Sequence, residues 1–96
     1  MSNTSGRKIL DFFYDKNSLC IKTKYLEYKF TDIKKIKVDY FNNLYSGFKT
    51  IKLINDEEYY FYVNFNSCII IVKNKFGVMD IFNANTKCLD FFQKIV

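Results

Sequence analysis

A chain of 96 residues, 49% hydrophobic and 26% charged, has the length and composition of one globular domain and excludes a disordered polymer. The formal net charge is +5 and histidine is absent, which removes the commonest general base and excludes Ser-His-Asp and Cys-His machinery. Aromatics are in excess at 20%, with eleven Phe, eight Tyr and no Trp, so a few large rings can fill the core of a small domain.

The charge is unevenly placed. Residues 1–52 hold eleven Lys/Arg against five Asp/Glu, while residues 53–96 hold four against five. Fourteen of the fifteen cations are Lys, whereas bidentate phosphate recognition favours Arg. Cys20, Cys68 and Cys88 are widely spaced and odd in number, with no C-x-x-C pair. That pattern argues for buried or incidental thiols in a reducing compartment, not a disulfide framework or a zinc site. Met1 to Arg7 is polar and lacks the apolar stretch of a secretory signal. The longest apolar run, Cys68 to Val72, falls far short of the roughly 20 residues of a membrane span. The expectation is a cytoplasmic protein with a flexible N-terminus over 1–7 and a single β domain over 8–96.

Along the chain, short alternating runs are separated by Asn, Asp, Gly and Lys turns, the pattern of an antiparallel sheet. Lys8 to Tyr14 opens the series, and its Ile9, Leu10, Phe12 and Phe13 fit either a strand or a short helix. Asp15-Lys16-Asn17 is a turn, followed by a run from Leu19 to Lys22. In Tyr25 to Phe30, Leu26, Tyr28 and Phe30 share one face and Glu27 and Lys29 the other. Thr31-Asp32-Ile33 is a corner. From Lys35 to Tyr40, Ile36, Val38 and Tyr40 are expected inward, and Lys35, Lys37 and Asp39 outward.

Asn42 and Asn43 begin a loop that runs to Ser46-Gly47; Phe48 to Ile54 is then a strand, turned by Asn55-Asp56. Glu58 to Phe65 returns with Tyr59, Phe61, Val63 and Phe65 on one face and Tyr60 and Tyr62 on the other. Cys68 to Lys73 reads as a central strand, and Asn74 to Gly77 turns it into Val78 to Phe82. The period then changes. Over Asn85 to Val96, Cys88, Phe91, Phe92 and Ile95 recur at helical spacing, predicting an amphipathic helix of about three turns. Asn83, Asn85 or Thr86 can cap it, and so short a helix must dock its apolar stripe to persist.

The segment Phe30-Thr31-Asp32-Ile33-Lys34-Lys35-Ile36-Lys37-Val38 is similar to the aromatic, Ser/Thr, acidic, Ile stretch that leads into the middle strands of bacterial PH-like domains. Asn85 to Val96 resembles their closing helix. The order of elements, seven to eight short antiparallel strands and then one amphipathic helix, likewise resembles the pleckstrin-homology superfold over residues 8–96. The resemblance implies a mostly β (α+β) fold, a curved sheet or partly open barrel capped by the C-terminal helix 85–96. An OB-like or SH3-like barrel with an added helix, and a two-layer α+β sheet, are rival architectures. The chain departs from the family in having no Trp in the closing helix and no Lys-x(n)-Lys-x-Arg phosphoinositide signature; Lys22 and Lys24 stand near that position without an Arg. Headgroup binding is not implied.

Chemistry is sparse. Gly6, Gly47 and Gly77 are too scattered for a phosphate-cradling loop. Asp56, Glu57 and Glu58 read as a solvated hairpin tip and not as an acid/base or cation site. The expectation is a protein that is not an enzyme and takes no cofactor or metal. Three surfaces remain for binding. Lys22, Lys24, Lys29, Lys34, Lys35 and Lys37 line a face that either contacts phosphates or merely solubilises the domain. Tyr40, Tyr45, Tyr60 and Tyr62, with Phe41 and Tyr59, supply interface anchors or stacking rings, unless they pair within the sheet. An open edge, sought near Asn42 to Thr50 or Asn66 to Lys73, can accept a partner strand.

The leading reading is a non-catalytic module for protein–protein interaction, acting alone or as a homodimer. The alternatives are a nucleic-acid binder using the Lys/Tyr face, and a small phage or mobile-element inhibitor that binds and blocks a host or defence complex. Anionic-lipid binding through the basic N-terminal half is a further reading.

Overall fold

Alternation of apolar and polar side chains builds nine strands, and a change of period builds one helix, from residues 6–42 and 45–96, the part described by the computed structural model. Strands β2 (Asp11–Asp15), β3 (Ser18–Lys22) and β4 (Glu27–Phe30) form an antiparallel sheet in that order. Strands β5 (Lys35–Val38), β6 (Lys49–Ile54), β7 (Glu58–Asn64), β8 (Ile69–Asn74) and β9 (Gly77–Asn83) form an antiparallel meander. Strand β1 (Arg7–Lys8) joins it parallel to β9, giving the order β1-β9-β8-β7-β6-β5.

The result is mostly β with a C-terminal helix, as the sequence predicts, but it is two sheets and not one curved sheet or barrel. The strand count is nine instead of seven to eight because the run from Lys8 to Tyr14 is divided between the sheets. The Ile9 N–H donates to the Asn83 carbonyl of the large sheet at 3.0 Å, and the Leu10 N–H to the Lys22 carbonyl of the small one at 2.8 Å. Ile9 is buried where the chain crosses between them. That division settles the run as strand and not helix. It also ties down Arg7, which was expected in a flexible terminus; residues 1–5 of that expected segment, like Asn43 of the expected loop, lie outside the described residues.

Closure fails at the corner after β4. Asp32 takes a positive φ of 54°, Ile33 is buried beside it, and β5 then pairs with β6 rather than with β4. The edges of the large sheet are therefore β1 and β5. The strands that fall in the two segments proposed as open edges are interior, since β6 lies between β5 and β7 and β8 between β7 and β9. Hairpin chemistry follows the expected turns. Lys16 and Asn17 both have positive φ (50° and 63°), the requirement of a two-residue turn that matches strand twist.

Phe12, Leu19, Ile21 and Phe30 of the small sheet and Ile51, Leu53, Phe61, Val63, Ile70, Val72 and Phe82 of the large one form a single buried cluster. The two inner faces are thus packed on each other, and the outer faces look in opposite directions. Helix α1 (Thr86–Gln93) is two turns long, shorter than expected, and begins at Asn85, whose side-chain oxygen accepts the Cys88 N–H at 2.9 Å. It buries Cys88 and Phe92. The Phe92 ring lies 5.8 Å from Phe12 and 5.6 Å from Phe61, so one side chain meets rings from both sheets. Among the described residues no helix is long and apolar enough to cross a membrane.

Candidate functional site

Cross-strand partners lie on the same face, so the registers identify which side chains look outward from the large sheet. Lys37 stands opposite Lys52, Lys52 opposite Tyr60, and Tyr60 opposite Lys73. One row over, Thr50 faces Tyr62, Tyr62 faces Ile71, and Ile71 faces Ile81. Asn64, Ile69 and Asn83 make a third row. The outer face therefore carries a centre of Tyr62, Ile69, Ile71 and Ile81 flanked by Tyr60 and by Lys37, Lys52 and Lys73.

Part of this face is covered from within. The Tyr45 ring meets Tyr62 edge-on at 5.2 Å and Phe48 at 5.6 Å. Asn42 Nδ2 donates to the Tyr62 hydroxyl at 3.4 Å, and the Thr50 hydroxyl donates to the Asn42 carbonyl. Tyr62 is consequently only 2% exposed, although alternation alone marks it as an outward residue. Tyr60 is half-buried, stacked on Tyr62 with centroids 6.4 Å apart, and Lys52 Nζ lies 5.8 Å over its ring. Lys52 also pairs with Glu58 at 3.4 Å, and the Tyr60 hydroxyl donates to the same carboxylate at 3.0 Å. Burial, helped by Glu58, holds Tyr60 above its ordinary pKa; burial does the same for Tyr62. The half-buried isoleucines Ile69, Ile71 and Ile81 lie beyond these rings in the neighbouring strands.

The lysines proposed as one face are divided between two. Lys22 and Lys29 lie on the outer face of the small sheet and Lys24 in its β3–β4 hairpin, whereas Lys35 and Lys37 lie on β5 of the large sheet. Lys34 is committed to Asp56 at 3.2 Å. Tyr40, expected inward, is 74% exposed, because β5 ends at Val38 and the chain leaves the sheet before it. Tyr45, Tyr60 and Tyr62 do come together, but as a ring stack within the domain. Lys52, Lys73, Ile69, Ile71 and Ile81 were not singled out as site residues. Their parity with Tyr60 and Tyr62 becomes readable only once the hairpin registers are known.

A second feature borders this face. A groove runs beside β5 and α1, lined by Ile33, Lys34, Lys35, Ile36, Phe91 and Ile95 among others. The thiols have separate fates. Cys20 is buried with its Sγ 3.2 Å from Glu27 Oε2, Cys88 is buried under the helix, and Cys68 is half-buried in the β7–β8 turn. Burial, then Glu27, pushes the Cys20 thiol above its ordinary pKa, and burial alone pushes Cys88 up strongly. No protein-family model, no curated protein and no solved structure matches this chain.

Proposed function

We propose that this chain is a non-catalytic protein-binding module of PH-like architecture, and that the outer face of its large sheet docks a protein with an acidic surface. The observation that carries the reading is the composition of that face: half-buried Ile69, Ile71, Ile81 and Tyr60 rimmed by lysines, the apolar centre and polar rim of a protein interface. Among the described residues Lys35, Lys37 and Lys73 form no ion pair, so the rim is left with positive charge for an acidic partner. The PH-like reading draws support from two packed sheets and a terminal helix whose Phe92 meets both. Three free thiols support placing the module in the cytoplasm.

A nucleic-acid reading is less well supported by the same residues. Stacking needs an open ring face, and Tyr62 is buried while Tyr60 is engaged by Tyr62 and Lys52. Aliphatic Ile69, Ile71 and Ile81 suit a protein surface better than bases. A photo-crosslinking residue placed at Ile71 in cells, with one at Lys29 as control, tests the choice. Capture of a single acidic protein from position 71 alone is expected, with binding of the purified partner weakened at least about tenfold by Ile71→Arg or Lys73→Glu. Crosslinks to nucleic acid, crosslinks to a second copy, or equal capture from position 29 would overturn the assignment.

A further inference from the structure

The free edge of β5 supplies what the outer face lacks, a directional attachment. In an antiparallel ladder, alternate residues exchange their N–H and C=O groups with the neighbouring strand, and those between turn them away. The Asp39 N–H donates to the Thr50 carbonyl at 2.8 Å in the same register as the β5–β6 pairs. Lys35 and Lys37 therefore share that bonded side, and Ile36 and Val38 present their backbone groups to the open edge. Among the described residues no strand pairs with β5 there.

Side chains along the edge set the kind of strand that fits. Ile36 and Val38 lie on the inner face of the sheet, Ile36 in the groove that Ile33, Phe91 and Ile95 line together with Lys34 and Lys35, whereas Lys35 and Lys37 are exposed and in register with the outer face. Lys37 sits directly across from another cation, Lys52, whose own relief comes from Glu58 on the far side. Opposed like charges destabilise a strand pair, and a carboxylate on the open side of Lys37 relieves this one. A second copy pairing antiparallel through β5 sets Lys35 or Lys37 opposite Lys37 in the registers centred on Ile36 or Lys37, and sets Asp39 there only in the register centred on Val38, where the overlap within β5 is shortest.

Resting on the protein-binding reading above, we infer that the acidic partner attaches by adding an extended segment to β5, with acidic and apolar residues in alternation. The acidic positions face Lys35 and Lys37, and the apolar ones enter the groove beside Ile36. Main-chain hydrogen bonds hold the segment, and the alternating pockets select it.

The test measures amide hydrogen exchange by NMR on the full chain, with a synthetic eight-residue peptide alternating Glu and Val. The amides of Ile36 and Val38 are expected to slow about tenfold or more as they enter a ladder. A Lys/Val peptide, and a Glu/Val peptide N-methylated at alternate residues, should have no effect; the exposed double variant Lys35→Glu/Lys37→Glu should weaken the Glu/Val peptide about tenfold while its melting temperature does not fall. Exchange at Ile36 and Val38 that is unaltered by the peptide overturns the inference. So does slowing that grows with protein concentration alone, which assigns the edge to a second copy. Continued sensitivity of partner binding to Ile71→Arg would then leave the outer-face reading standing, whereas its loss would remove both.

Discussion

The two solvent faces of this sandwich are built by the same alternation and end with different characters. On the small sheet, Lys22 stands between Asp11 and Glu27 in adjacent strands, and Cys20 between Phe13 and Lys29. Lys22 Nζ also lies 5.8 Å over Phe13, and Asp11 pairs with Lys87 of the helix at 3.6 Å, while Lys29 stands across from Cys20. On the large sheet, Lys37 meets Lys52 across the strand pair, and a row of isoleucines takes the place of acids. On the first face acids stand in register with Lys22, although neither Lys22 nor Lys29 is in an ion pair among the described residues. The second gathers three half-buried isoleucines and opposes two lysines of which only Lys52 has an acid partner, and that contrast is why the functional reading rests on it.

Both faces hang on one core, and the strongest way to break the comparison is to break that core. Phe92→Ala removes the ring that meets Phe12 and Phe61, and should cost about 3–5 kcal/mol in a single denaturation transition. Two separate transitions would show that the sheets are independent units and that their faces cannot be compared as parts of one fold.

Raising the pH probes the same core next. Cys88 has an ordinary pKa of 9.0 and is held above it by burial, so above about pH 9 the unfolded thiol releases its proton while the folded one keeps it. The unfolded state is then favoured: stability is full below that pH and falls by up to about 1.4 kcal/mol per pH unit for each such group. Tyr28, raised by burial and by its hydrogen bond to Asp80, adds to the loss above its ordinary value of 10.0. Urea titrations at several alkaline pH values should show this fall, and Cys88→Ala should make it shallower.

Asn85→Ala should cost about 1 kcal/mol by leaving the Cys88 N–H without its cap, measurable as a lower urea midpoint. Smallest in stability, and sharpest for the comparison, are charge reversals on the two faces. Lys29→Glu and Lys73→Glu should each change stability by no more than about 0.5 kcal/mol, yet only Lys73→Glu should weaken binding of the protein partner. Equal effects on binding would erase the distinction between the faces.

Much of the local structure was legible in the residues. The period-two runs locate β3 to β9 within a residue or two, and the shift at Asn85 marks the helix, because side-chain direction follows directly from local backbone geometry. The candidate face was legible only in part. Tyr60 and Tyr62 have identical parity, and alternation cannot tell that Asn42 and Tyr45 return to cover one of them. Lys22 and Lys37 look alike in a list of charges, and only pairing separates a lysine set among acids from one set against another lysine.

By itself, the sequence determined a mostly β chain with a docked terminal helix and no imidazole, since composition and periodicity act residue by residue. Tertiary structure alone decided that the first run divides between two sheets, that β5 and not β6 or β8 is an edge, and which outward face gathers the isoleucines. Those outcomes depend on which distant strands meet, and strand pairing joins residues that no local pattern connects.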